Sequence, residues 1–245
     1  MSDEVDDPEY QAPRSDPLTD FHGMTRLFPL PNVVLFPGVL LPLHIFEPRY
    51  RQMIADAMDC DRLITLVLLK PGYESDYEGS PPIHSVGCLG RIRSHEPLPD
   101  GRSHIVLHGL RRVRIETEVP TGCPYRTALA SILKEEDEAL GGEVSNECRD
   151  LVTKTLKNVG VDPGPDMPHK RSRYWPFSLG EFIDFASHTL SIDVQAKQML
   201  LEELDLRTRI AMVTGAVMVE AVFNRLEKQL DDPPPDGSPP EFSEN

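Results

Sequence analysis

Residues 27–46 read LFPLPNVVLFPGVLLPLHIF, twenty positions in a row without a formal charge. A run of that length is enough to cross a bilayer as a helix. Pro29, Pro31, Pro37 and Pro42 argue against it, because each removes a backbone donor and clashes with the preceding turn. Gly38 adds a further break. The same residues suit two short buried strands, Val33–Phe36 and Val39–Phe46, joined by a turn at Pro37-Gly38. The segment is therefore read as the β core of a globular domain, with no membrane partner.

The chain after this stretch continues the mixed pattern. Pro48 stands where a helix tolerates a missing N–H, and Tyr50, Met53, Ile54, Ala57 and Met58 recur at helical spacing, so Pro48–Met58 is an amphipathic helix. The short apolar run Leu63–Leu69 reads as a buried strand, and Pro71–His84, rich in Gly, Ser, Pro and acids, as a loop. Val86–Ser94 and Ser103–Glu118 read as strands about a turn at Leu98-Pro99-Asp100-Gly101, and Tyr125–Leu133 as a further strand. Residues 26–140 thus form a β-rich domain with one helix.

Residues 141–230 read as a helical subdomain. Val144, Cys148, Leu151, Val152, Thr155, Leu156 and Val159 mark one helix face, and Val161–Pro176 is irregular, with four prolines. Ser178 and Glu181 have capping-box spacing ahead of Phe182, Ile183 and Phe185. Ser191–Glu203 and Leu206–Leu230 are the last helices, the final one apolar on more than one stripe.

The formal charge is −15, from 25 Lys+Arg and 40 Asp+Glu. Residues 1–25 carry −6 and residues 231–245 carry −5, which leaves only −4 on the 26–230 body. The acidity sits in two tails that can bury almost nothing, so 1–25 and 231–245 are expected to be disordered. A generally basic nucleic-acid binder is excluded by this balance. The start MSDEVDDPEY lacks the basic and apolar regions of a signal peptide, and Cys60, Cys88, Cys123 and Cys148 show no paired spacing. Buried free thiols in a cytoplasmic protein are the expectation.

Motifs that carry chemistry are absent. There is no G-x-x-x-x-G-K-[ST], G-x-S-x-G, H-E-x-x-H or G-x-G-x-x-G. The run Glu135-Glu136-Asp137-Glu138 shares one solvated environment, whereas acid–base catalysis needs carboxylates in unlike ones. His104 and His108 lie on one face of a predicted strand without a third ligand, and His44 reads as a core or rim residue. No catalytic residue, metal site or cofactor is predicted. The one structured cluster of charge is arginine: Arg91 and Arg93 share one strand face, and Arg112 and Arg114 another. Side by side they would suit phosphate groups, although a plain solvated face explains them more simply, with no aromatics interleaved to stack bases.

Three blocks resemble a known family. Leu27–Gly38 with Leu41–Glu47 (LFPLPNVVLFPG and LPLHIFE) looks like the opening of the Lon protease N-terminal substrate-binding domain. Val86–Ile92, Leu98–Gly101 and Leu110–Val113 resemble that family's glycine-containing strand, its Pro-Asp-Gly hairpin and its Gly-Leu-Arg-Arg segment. Ala196–Glu202 with Leu206–Arg209 is similar to the helical part that follows. The resemblance covers roughly residues 26–230. It implies an α+β fold: a PUA-like β pseudo-barrel with one packed helix, followed by a C-terminal helical bundle.

The resemblance implies a non-catalytic module that binds unfolded or hydrophobic polypeptide segments, an adaptor or modulator of ATP-dependent proteolysis with a protease as possible partner. The ATPase and Ser-Lys peptidase motifs of full-length Lon do not occur in these 245 residues. Glu47, Arg49, Arg51 and Gln52, off the apolar stripe of the first helix, are candidates for the rim of a binding groove, although a solvated helix face explains them more simply. The alternative is an RNA-binding PUA-like protein that uses Arg91, Arg93, Arg112 and Arg114, with an affinity falling steeply with salt.

Overall fold

The computed structural model describes residues 21–76, 79–135 and 178–231, together with Leu18 and positions 150, 153 and 157. Apart from those three positions, the helix expected over Val144–Val159 lies outside the described residues, as do the 161–176 stretch, Cys148 and most of both acidic tails.

The described residues form six strands in the order β1 (Met24–Leu30), β2 (Leu40–Ile45), β3 (Leu63–Leu68), β4 (Val86–Pro97), β5 (Ser103–Glu118) and β6 (Thr127–Ile132). Helix α1 (Pro48–Met58) lies between β2 and β3; α2 (Leu179–Thr189), α3 (Val194–Glu202) and α4 (Leu206–Asp231) follow the strands. This is the α+β arrangement expected. The sixteen-residue β5 organises the sheet. Its first half pairs with β2, its second half with β6, and its other edge with β4. β4 pairs with β3, β3 runs parallel to β1, and β1 meets β6. Five strands therefore close on themselves, while β2 has one neighbour among the described residues.

The main departure from the sequence reading lies at the start. Val33–Phe36 is not a strand, although Val34, Leu35 and Phe36 are buried; the strand lies upstream, at Met24–Leu30. Pro29 is tolerated there for a geometric reason. The Leu27 N–H donates toward β6, to the Arg126 carbonyl at 2.8 Å. Pro29, two residues on, faces the same side beyond the end of the β1–β6 pairing, so its missing donor faces no strand. Its carbonyl instead accepts from the Tyr50 hydroxyl of α1 at 3.2 Å.

α1 buries Tyr50, Met53, Ile54 and Ala57, the stripe its spacing predicts. The Ser178–Glu181 capping box forms reciprocally at the start of α2, at 3.2 and 2.8 Å. One continuous apolar cluster joins the strands (Phe28, Leu66, Leu107) to α1 (Met53) and to the last helices (Phe182, Leu200, Val213). A smaller cluster holds Leu63, Leu89, Leu110, Val113 and Ala130. The thiols depart from expectation: Cys88 is buried, but Cys60 after α1 and Cys123 in the β5–β6 loop are exposed, and all three are free. Burial pushes the Cys88 thiol up to about 12, against the pull of Arg112.

Gly109 of β5 shows how closely the entry to β2 is packed. A Cβ there would lie 2.1 Å from the Phe36 carbonyl oxygen, and Gly109 exchanges backbone hydrogen bonds with Gly38 and Val39. Gly109→Ala is therefore expected to destabilise the protein by about 3 kcal/mol, read as a lower urea midpoint. An unchanged midpoint would contradict the close approach.

Candidate functional site

The register of β2, β5 and β4 sets three rows of side chains on one face of the sheet: Leu40, His108 and Arg91; Pro42, Val106 and Ser94; His44, His104 and Glu96. These residues are exposed or half-buried, whereas Leu41, Ile45, Ile105 and Leu107 point inward and are buried. Phe46 continues the outward phase of β2 and is 59% exposed, an unusual position for an aromatic ring. Its ring lies 5.8 Å from that of His44, which stacks on His104 at 4.9 Å and 25°. His44 is thus a surface residue in an aromatic row, not a core histidine.

The first turn of α1 borders this row. Glu47 and Arg49 pair at 2.9 Å, and the Arg49 guanidinium sits 4.7 Å above the Tyr50 ring. Arg51 lies across the β4–β5 turn, so close that a Cβ on Gly101 would be 1.9 Å from its Nη2. Gln52 donates to Asp56 Oδ1 at 2.7 Å. The fold therefore brings Glu47, Arg49 and Arg51 to the edge of a surface whose centre is Phe46, His44 and His104. Buried Ile45 and Tyr50 anchor the backbone on either side of Phe46, which makes the platform rigid.

The arginines do not form one patch. Arg91 and Arg93 sit on β4 beside His108, to whose Nδ1 the Arg93 Nε donates at 3.3 Å. Arg114 is exposed near the far end of β5. Arg112 is not at the surface at all: its side chain is 0% exposed, beneath the helices. Its Nη1 and Nη2 hold Asp184 of α2 as a bidentate pair at 2.8 and 2.6 Å, its Nη1 also reaches Glu135, and its Nε donates to the Leu201 carbonyl of α3. Arg209 of α4, also 0% exposed, bonds Asp184 at 2.8 Å and Glu135 at 2.7 Å. Burial opposes the Arg112 charge, but Asp184 and Glu135 more than offset it and raise its pKa. Burial alone would lift Glu135; the two guanidiniums hold it below the usual carboxylate range. Among the described residues, no group of three or more His, Cys, Asp or Glu is placed to hold a metal ion.

The model of the ATP-dependent protease La (LON) substrate-binding domain matches residues 25–217, and the chain belongs to that family. It is 26% identical over 215 residues to a Lon protease of Desulfosudis oleivorans, which covers 84% of this chain and 25% of that one. It is 25% identical over 214 residues to Lon protease 2 of Myxococcus xanthus, again over 25% of the relative. The chain thus spans about a quarter of the length of these relatives. Among solved structures, the Lon N-terminal domain protein from Xanthomonas campestris aligns with a TM-score of 0.54 at 23% identity, over 78% of this chain and 97% of that one. The N-terminal domain of the Mycobacterium avium complex Lon protease gives 0.58 at 14%, over 80% and 98%. Among the described residues, no helix is long and apolar enough to cross a membrane.

The buried charge network and the half-buried His188 each carry an expected outcome. Asp184→Ala leaves two buried guanidiniums short of a carboxylate and should cost about 3–5 kcal/mol in urea unfolding. A loss below about 1 kcal/mol would mean the network contributes little. The second concerns His188, whose pKa burial and Lys197 both lower from 6.5. The fold favours its neutral form, so stability is full above pH 6.5 and falls as the pH drops toward the lower folded value. His188→Gln should flatten that part of the stability–pH curve; an unaltered curve would assign the slope elsewhere.

Proposed function

We propose that this chain is a non-catalytic recognition module that binds unfolded or hydrophobic polypeptide and acts as an adaptor or modulator of ATP-dependent proteolysis, alongside a protease partner. The observation that carries this reading is Phe46, an exposed ring in an aromatic row on a rigid strand–helix junction, in a chain of the LON substrate-binding family. An apolar anchor ringed by polar groups is the arrangement that favours binding of apolar segments. Arg51 and the Glu47–Arg49 pair frame its approach, while Gln52, exposed and turned to Asp56, contributes at most to its outer rim.

The reading is tested by fluorescence anisotropy on the full chain, with a labelled, permanently unfolded polypeptide and a labelled single-stranded RNA at low and physiological salt. Saturable polypeptide binding that survives salt is expected. Phe46→Ala should weaken it about tenfold, as expected for a central aromatic anchor, while the urea midpoint stays put because the ring is largely solvated. Undiminished binding by Phe46→Ala would remove this surface from the site. RNA binding in place of polypeptide binding would overturn the function.

A further inference from the structure

We infer that the open edge of β2 is a strand-addition site: an extended client segment pairs backbone to backbone with Leu40–His44, its alternate side chains lying beside Pro42, His44 and Phe46. The inference rests on the polypeptide-binding reading and specifies how the client is held.

Among the described residues β2 is the strand with a single neighbour, in a sheet whose other five strands close on themselves. The phase of its backbone follows from its entry. The Gly109 N–H donates to the Val39 carbonyl at 2.9 Å, so Val39, and with it Leu41, Leu43 and Ile45, directs its polar groups toward β5. Leu40, Pro42 and His44 then direct theirs outward. The open edge presents three carbonyls and two N–H donors, with the gap at Pro42. Proline is tolerated in a strand where its nitrogen faces no partner, which is the position this phase gives it.

Backbone groups spaced at the strand period are matched by another extended chain, and such edges recruit peptides in known recognition modes. Pro42 narrows the choice of occupant. A second copy pairing antiparallel about the centre of β2 would set two donorless residues opposite each other. A short client strand keeps both anchors, Leu40 and His44, and loses one bond that water can replace on its side. The side chains agree with this. The outward residues Pro42, His44 and Phe46 are exposed, so alternate apolar or aromatic client residues would cover them. Leu43, half-buried on the opposite face, receives the others. The client class is therefore an extended segment with apolar residues at alternate positions.

The test uses the full chain and a short synthetic peptide of alternating valine and threonine, alongside the same peptide N-methylated at alternate backbone nitrogens. The plain peptide should bind, the methylated one should bind about tenfold more weakly, and the Leu40 and His44 amides should gain hydrogen-exchange protection in the complex. Pro42→Val restores the missing donor and should tighten binding about threefold to tenfold, the range of one net hydrogen bond. His44→Pro should weaken it by a similar factor, whereas His44→Thr, which removes the ring and keeps the N–H, should weaken it less. Exchange protection of the β5 amides checks that each variant is folded. Equal affinity for both peptides, or edge variants without effect while Phe46→Ala still weakens binding, would overturn strand addition and leave the polypeptide reading standing. No binding of any polypeptide would remove both. Dimerisation of Pro42→Val without tighter peptide binding would assign the edge to a second copy instead.

Discussion

Two guanidiniums and two carboxylates, Arg112, Arg209, Asp184 and Glu135, join the strands to the helices. A lone charge with no solvent exposure would be strongly unfavourable, and it becomes tolerable only with its partners in place. Arg112 comes from β5, Glu135 from the exit of β6, Asp184 from α2 and Arg209 from α4, while Arg112 also ties the end of α3 through the Leu201 carbonyl. None of these side chains is satisfied by its own element. The helices therefore dock in one orientation, and the apolar cluster shared by strands and helices forms around that geometry. Apolar packing supplies the larger attraction, but it is non-directional; the charged fork specifies where the helices sit.

The architecture of β5 divides the molecule in a way that bears on function. Its second half belongs to the closed sheet and carries Arg112 to the helices; its first half leans on β2 alone on that side. The stabilising contacts are thus concentrated at one end, and at the other lies a strand that pairs on one edge only among the described residues, beside an exposed aromatic row. Binding surfaces are expected where a rigid scaffold ends and unsatisfied groups begin. Phe46 and the neighbouring α1 rim stand at that boundary.

Much of the fold was legible in local pattern. The helix at Pro48–Met58 and the strand at Ser103–Glu118 follow from spacing and turn chemistry, and the structure gives both the same bounds. β1 was not legible, because Pro29 reads as a breaker until the end of the β1–β6 pairing is known. Arg112 alternates with Val113 and reads as a surface residue; only Asp184, 72 positions away, and Arg209 make it a core residue. The Phe46 site left a faint signal. Leu40, Pro42, His44 and Phe46 share one phase of a period-two pattern, but a run of uncharged residues conceals the alternation.

By itself the sequence determined the order and type of most elements, the family to which their motifs point, and the concentration of acid in the two ends of the chain. These depend on neighbours a few residues apart, where propensity, capping and periodicity act. The tertiary structure alone decided which strand is left with an open edge, which arginine is buried and which face of β2 meets solvent. Those outcomes depend on pairings between residues tens of positions apart, and burial and charge pairing are properties of the assembled fold rather than of any segment.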